Sequence, residues 1–68
     1  MIHDNIRKLR KENKITQIEL AKMIGVTESN VGNWERENGT PDPKMIVKLK
    51  HALNCSYEEL LEDWSKID

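Results

Sequence analysis

A chain of 68 residues has room for at most one small domain, near the lower limit of what folds alone. Only 4% of the residues are aromatic and 34% are charged, so any core must be aliphatic and compact; no apolar run approaches the roughly 20 residues of a membrane span, no leader pattern opens the chain, and the single cysteine, Cys55, excludes an intramolecular disulfide. A net charge of −1 excludes a uniformly basic polyanion binder, and the sparse cysteine usage points to the cytoplasm.

The spacing predicts five helices and no strand. The first covers about residues 2–12, with Ile2, Ile6 and Leu9 on one face, and is broken at Asn13 and Lys14. Ile15 stands just before Thr16, where it can act as a hydrophobic staple. Thr16 and Glu19 have the spacing of a capping box that opens the second helix. Leu20, Ala21 and Ile24 form its apolar face, and Gly25 supplies the left-handed conformation that ends it without a Cβ penalty. Val26 plugs the turn. Thr27 then caps a third helix whose inner face is Val31 and Trp34. Glu37, Asn38, Gly39, Thr40 and Pro41 compose a loop. Asp42 caps a fourth helix with Pro43 at its first position, where the missing N–H costs nothing. Its core stripe is Ile46, Leu49 and Leu53, with Val47 beside it and Asn54 as a left-handed stop. Ser56 and Glu59 form a second capping box, opening a fifth helix with Leu60, Leu61 and Trp64. The expected fold is all-α: a compact bundle of five short helices, with residues 1–68 as one domain.

Residues 17–36 thus read as two short helices joined by a tight turn, with Ala21 small enough to let them cross closely. Proteins use this arrangement to set one helix into a DNA groove. The whole order of caps, turns and core positions resembles the Cro/C1-type helix-turn-helix family of phage repressors and bacterial regulators. The likeness runs from Ile6-Arg7-Lys8-Leu9-Arg10 through Leu60-Leu61. Its most specific parts are Ile15-Thr16-Gln17, Leu20-Ala21, Gly25-Val26-Thr27 and Trp34-Glu35, followed by Pro41 and the segment from Ala52-Leu53 to Ser56.

The resemblance implies a lambda repressor-like DNA-binding domain whose third helix enters the major groove. It implies base-edge contacts from Glu28, Ser29 and Asn33, and phosphate contacts from Gln17, Asn30, Asn38 and Thr40. Gln17 would use its amide together with the free N–H groups at the start of the second helix. Arg10 and Glu35 would form a partly buried ion pair tying the first helix to the third.

The chemistry of each side chain bounds these roles. Asn33 can pair bidentately with adenine N6 and N7 or stand as a solvated helix residue. Glu28 can accept from cytosine N4, but phosphates repel it, and an acid also suits the positive end of a helix for structural reasons. Ser29 donates and accepts, and so specifies little. Gly32 departs from the family pattern, in which a polar side chain is common. It costs about 1 kcal/mol relative to alanine inside a helix, and either allows close approach to the DNA backbone or is merely tolerated. Trp34 reads as core edge, and Trp64 as either a cap on the core or a dimer contact. Lys11 and Lys14 fit the phosphate-facing side or an ordinary solvated surface. His51 and Cys55 are four residues apart, short of the three or four ligands a metal site needs. Cys55 is expected to be a buried thiol, and no metal, cofactor or small-molecule ligand is expected.

Charge placement softens the net acidity. Residues 1–14 carry Arg7, Lys8, Arg10, Lys11 and Lys14 against Asp4 and Glu12, and residues 43–54 carry Lys44, Lys48 and Lys50 with no acid. The acids gather late, at Glu58, Glu59, Glu62, Asp63 and Asp68 against Lys66. Acids held away from DNA matter little beyond a Debye length of roughly 8–10 Å. The expected function is sequence-specific DNA binding in transcriptional regulation, as a repressor. The expected partner is a palindromic double-stranded operator bound by a homodimer. The competing expectation is a protein-interaction module or antitoxin-like regulator using the same fold with weak or no DNA binding of its own. An enzyme is the least expected class, because no pair of catalytic groups converges.

Overall fold

Five helices make up the computed structural model, which describes residues 2–62: α1 (Ile2–Glu12), α2 (Gln17–Ile24), α3 (Glu28–Glu35), α4 (Pro43–Ala52) and α5 (Tyr57–Leu61). There is no strand among the described residues, and no helix among them is long and apolar enough to cross a membrane. Trp64 and the acids Asp63 and Asp68 lie outside the described residues.

Local chemistry starts and stops each element. Thr16 accepts from the Glu19 N–H at 3.1 Å while Glu19 accepts from the Thr16 N–H at 2.9 Å, and Ser56 with Glu59 repeats this box at 3.0 Å in both directions. Asp42 accepts from the Met45 N–H at 2.9 Å, just ahead of Pro43. Each such cap satisfies a helix donor that has no partner inside the helix, worth about 1 kcal/mol. The stops after α1, α2 and α4 use left-handed residues. Gly25 ends α2 at φ 78°, while Lys14 and Asn54 take φ 59° and 52° after α1 and α4.

Every helix contributes to one aliphatic core. Ile6, Leu20, Val31, Leu49, Leu53 and Leu60 are almost completely enclosed, with Leu9, Ala21, Ile24 and Trp34 around them. Each large aliphatic chain so buried contributes about 1.5–3 kcal/mol. α1 packs on α3 and α5, and α2 packs on α3 and α4. Side-chain amides and a buried imidazole fasten α1 and the turn after it to their neighbours. Asn5 donates to the Leu60 and Glu62 carbonyls at 2.8 and 2.5 Å, and His3 Nδ1 donates to the Trp34 carbonyl at 2.7 Å. Asn13 donates to the carbonyls of Leu9 and Leu53 at 2.7 and 2.9 Å.

Two apolar positions depart from the expected stripe. Val47 is 42% exposed and Leu61 48% exposed. One residue along a helix turns the side chain by about 100°, so a five-residue α5 that buries Leu60 must turn Leu61 outward. Similarly, Ile46 is only partly buried while Leu49 is enclosed, and the flank expected of Val47 is taken partly by Met45.

Candidate nucleic-acid interface

The turn between α2 and α3 is set by Ala21. Its carbonyl accepts from both the Gly25 and Val26 N–H groups at 2.9 Å, and the left-handed glycine lets the chain reverse there. Thr27 then accepts from the Asn30 N–H at 3.2 Å and starts α3. Val31 and Trp34 pin the inner face of α3 to the core. The Trp34 carbonyl is further held by His3, whose Nδ1 must carry the proton because a carbonyl only accepts.

This leaves a polar outer strip. Glu28, Ser29 and Asn30 are exposed at the start of α3, and Asn33, one turn beyond Ser29, is partly exposed. The three expected base-contacting residues therefore lie on a helix whose opposite face is locked. The loop after α3 begins at Glu37 in a left-handed conformation (φ 61°), with the Asn38 N–H donating to the Asn33 carbonyl at 2.8 Å. Asn38 and Thr40 are exposed in that loop, and buried Pro41 anchors its far end.

At the base of α3 sits a closed ionic cluster. Arg10 Nε donates to Glu35 Oε2 at 2.7 Å and its Nη2 to Oε1 at 3.1 Å, a bidentate pair whose side chains are 11% and 4% exposed. Arg10 Nη1 also donates to the Ile15 carbonyl at 2.9 Å, so one guanidinium ties α1 to both α3 and the α1–α2 turn. Gln17 Nε2 donates to Glu35 Oε1 at 3.1 Å. This bond holds the Gln17 amide at the junction of α2 and α3. Burial pushes the Glu35 carboxyl upward, but the bonds from Arg10 and Gln17, with the charges of Arg10 and Arg7, outweigh it and hold it below the usual carboxylate range.

A second polar cluster, absent from the sequence expectations, lies at the other side of α3. Arg36 Nη2 donates to Asn33 Oδ1 at 2.8 Å. The same guanidinium covers Gly32, where an added Cβ would stand 3.1 Å from Nη1. The signal available in the sequence was the spacing: residues three and four apart face each other on a helix, and Arg36 is the only cation in residues 28–36.

Away from α3, a shallow groove between the end of α2 and α4 is lined by Lys22, Met23, Gly25, Lys48, His51 and Ala52, among others. Cys55 is half-buried, with its Sγ 3.9 Å from the Lys50 carbonyl. Burial pushes its thiol up, as does the charge of Glu59, with Lys50 acting in the opposite sense. That is the reverse of what an activated thiolate requires.

The helix-turn-helix family model matches residues 6–60 of this chain. Repressor protein C2 of Salmonella phage P22 is 37% identical over 62 residues, covering 91% of this chain and 29% of that protein. The HTH-type transcriptional regulator DicA of Escherichia coli strain K12 is 38% identical over 55 residues, 81% of this chain and 41% of DicA. This chain thus spans less than half the length of either relative. Among solved structures, the P22 c2 repressor in complex with a synthetic operator superposes with a TM-score of 0.84 at 37% identity, covering 91% of this chain and 94% of that one. With the capped helices, the Gly25 turn and the outward strip of α3 all in place, the chain belongs to the Cro/C1-type helix-turn-helix family.

Proposed function

We propose that this chain is a cytoplasmic, sequence-specific DNA-binding regulator of transcription, acting as a repressor, with α3 as the helix that enters the major groove. The observation that carries this reading is the division of α3 into a locked inner face, Val31 and Trp34, and an outward polar strip. A helix presented this way can bring side chains to base edges without losing its footing on the core. In this reading Glu28, Ser29 and Asn33 meet base edges. Gln17, with the first N–H groups of α2, meets a phosphate, as do Asn30, Asn38 and Thr40. The bond from Gln17 to Glu35 orients its amide beforehand and so reduces the ordering cost on binding.

One α3 reads only a few base pairs. A symmetric homodimer on a palindromic operator, with half-sites roughly 34–36 Å apart, supplies the remaining affinity. The relation to the P22 c2 repressor, seen on its operator, supports the same mode of docking. The net charge of −1 and the exposed Glu28 favour the competing reading, a protein-interaction or antitoxin-like module with weak or no DNA binding of its own.

Selection of bound sites from randomised duplex DNA at physiological salt separates the two. The DNA reading expects an enriched palindrome, relaxed at one position by Asn33→Ala, and a uniform loss of affinity across sequences with Gln17→Ala. It also expects affinity to fall steeply with salt as counterions are released. No enrichment, with binding indifferent to both substitutions, would transfer the assignment to a protein partner.

A further inference from the structure

We propose that Arg36 is a specificity-determining residue that reads guanine, held ready by Asn33 and seated on the bare backbone of Gly32. The inference rests on the DNA-binding reading and adds a residue and a base preference to it.

Three observations converge. First, the Arg36 side chain is folded back along α3 by one turn, because its Nη2 donates to Asn33 Oδ1 at 2.8 Å. That places the guanidinium on the flank of the strip that also carries Ser29 and Asn33, rather than extended into the loop that follows. Second, the guanidinium lies close over residue 32, which has no side chain to hold it off. A Cβ there would stand 3.1 Å from Nη1, 3.6 Å from Nη2 and 3.7 Å from Cζ, so a side chain at 32 would push the guanidinium outward by a few tenths of an ångström, and a larger one further. Gly32 is not in a left-handed conformation, so no backbone requirement accounts for it. Third, Arg36 is the only cation in residues 28–36, and arginine to guanine O6 and N7 is the commonest specific contact in the major groove.

The bond also changes what Asn33 can do. An amide that reads adenine must accept from N6 and donate to N7. Here one lone pair of Oδ1 is occupied and a donor-only cation stands beside it. The combined surface of Asn33 Nδ2 and the remaining guanidinium hydrogens offers donors. Guanine presents two acceptors on that edge, whereas adenine presents one acceptor and one donor. The pair therefore favours guanine where Asn33 alone would favour adenine.

The test is site selection from randomised duplex with the wild-type chain, Arg36→Ala and Gly32→Ala, together with a thermal melt of each. The wild-type chain is expected to enrich a guanine at one position per half-site. Arg36→Ala is expected to lower the preference for that guanine by roughly tenfold to a hundredfold, leaving the other positions as they were. Gly32→Ala is expected to weaken the same preference with a melting midpoint equal to or above wild type, which excludes unfolding as the cause. If Arg36→Ala instead lowers affinity equally for all sequences, Arg36 is a phosphate contact and the inference falls while DNA binding stands. Selection of the wild-type site unchanged by Arg36→Ala also overturns it. A wild-type chain that enriches nothing overturns the inference and the DNA-binding reading together.

Discussion

α3 carries an arginine-containing polar cluster on each side, and the two differ in almost everything except bond length. Arg10 reaches Glu35 at 2.7 Å from another helix, 25 residues away, in a site where both side chains are nearly enclosed. Arg36 reaches Asn33 at 2.8 Å from the C-terminal cap of the same helix, three residues away, in water. A bond between distant segments in a low-dielectric site cannot be exchanged for water without stranding a charge. A local, exposed bond can be exchanged with little loss, so its partners are free to meet another molecule. Distance alone would have ranked the two clusters as equals; enclosure and sequence separation assign one to the fold and leave the other available for the recognition proposed above.

Removing Arg10 should produce the largest effect. Arg10→Met leaves the buried Glu35 carboxylate without its cation, with only the Gln17 amide still donating to it, and takes the side-chain donor from the Ile15 carbonyl; breaking such a buried pair costs about 3–5 kcal/mol. For a domain this small that corresponds to a fall in melting midpoint of roughly 15 °C or more; an unchanged midpoint would remove the distinction drawn here. The same pair should be visible in acid. Glu35 is held below its usual range, so its contribution is fully present above the unfolded carboxylate value, about 4.3, and is lost as pH falls through the lower folded value. Melts between pH 7 and 3 should show a loss confined to the acid end, and Glu35→Gln, less stable at neutral pH, should show a shallower acid slope. Equal slopes would contradict this origin.

Asn5→Ala should come next. It leaves the Leu60 and Glu62 carbonyls without their side-chain donor, at about 1–3 kcal/mol, read by denaturant unfolding. The exposed cluster should behave in the opposite way. Gly32→Ala should raise stability by about 1 kcal/mol, the helical preference of alanine over glycine, because the atom in its way is the far end of a flexible arginine. Arg36→Ala should change stability by no more than about 0.5 kcal/mol. A destabilisation by Arg36→Ala comparable to that of Arg10→Met would place both clusters in the fold.

Sequence and structure agree where the interaction is local. Both capping boxes, the Asp42 cap with Pro43, and the stops at Gly25 and Asn54 depend on residues within a turn of one another, and each is seen as expected. His3 and Asn5 were opaque, because their acceptors lie 31 to 57 residues away and are met only once α1 docks on α3 and α5. Val47 and Leu61 are apolar but face water, since hydrophobicity does not say how far around a short helix the core extends. The joining of Arg10 to Glu35 followed from family resemblance, since nothing in composition or spacing connects them. Arg36 was within reach of helical periodicity, yet its close approach to the backbone at Gly32 is a matter of side-chain conformation, which the order of residues does not display.

The most direct measurement is the nitrogen–proton spectrum of the arginine Nε–H groups, recorded with and without the selected duplex. The chain has three arginines, Arg7, Arg10 and Arg36, so each signal can be assigned by substitution. The Arg10 signal should be protected from exchange and remain in place when DNA is added, while the Arg36 signal should exchange rapidly in the free protein and shift on binding. A shift of Arg10 with Arg36 unmoved would contradict the division of α3 into a structural side and a reading side.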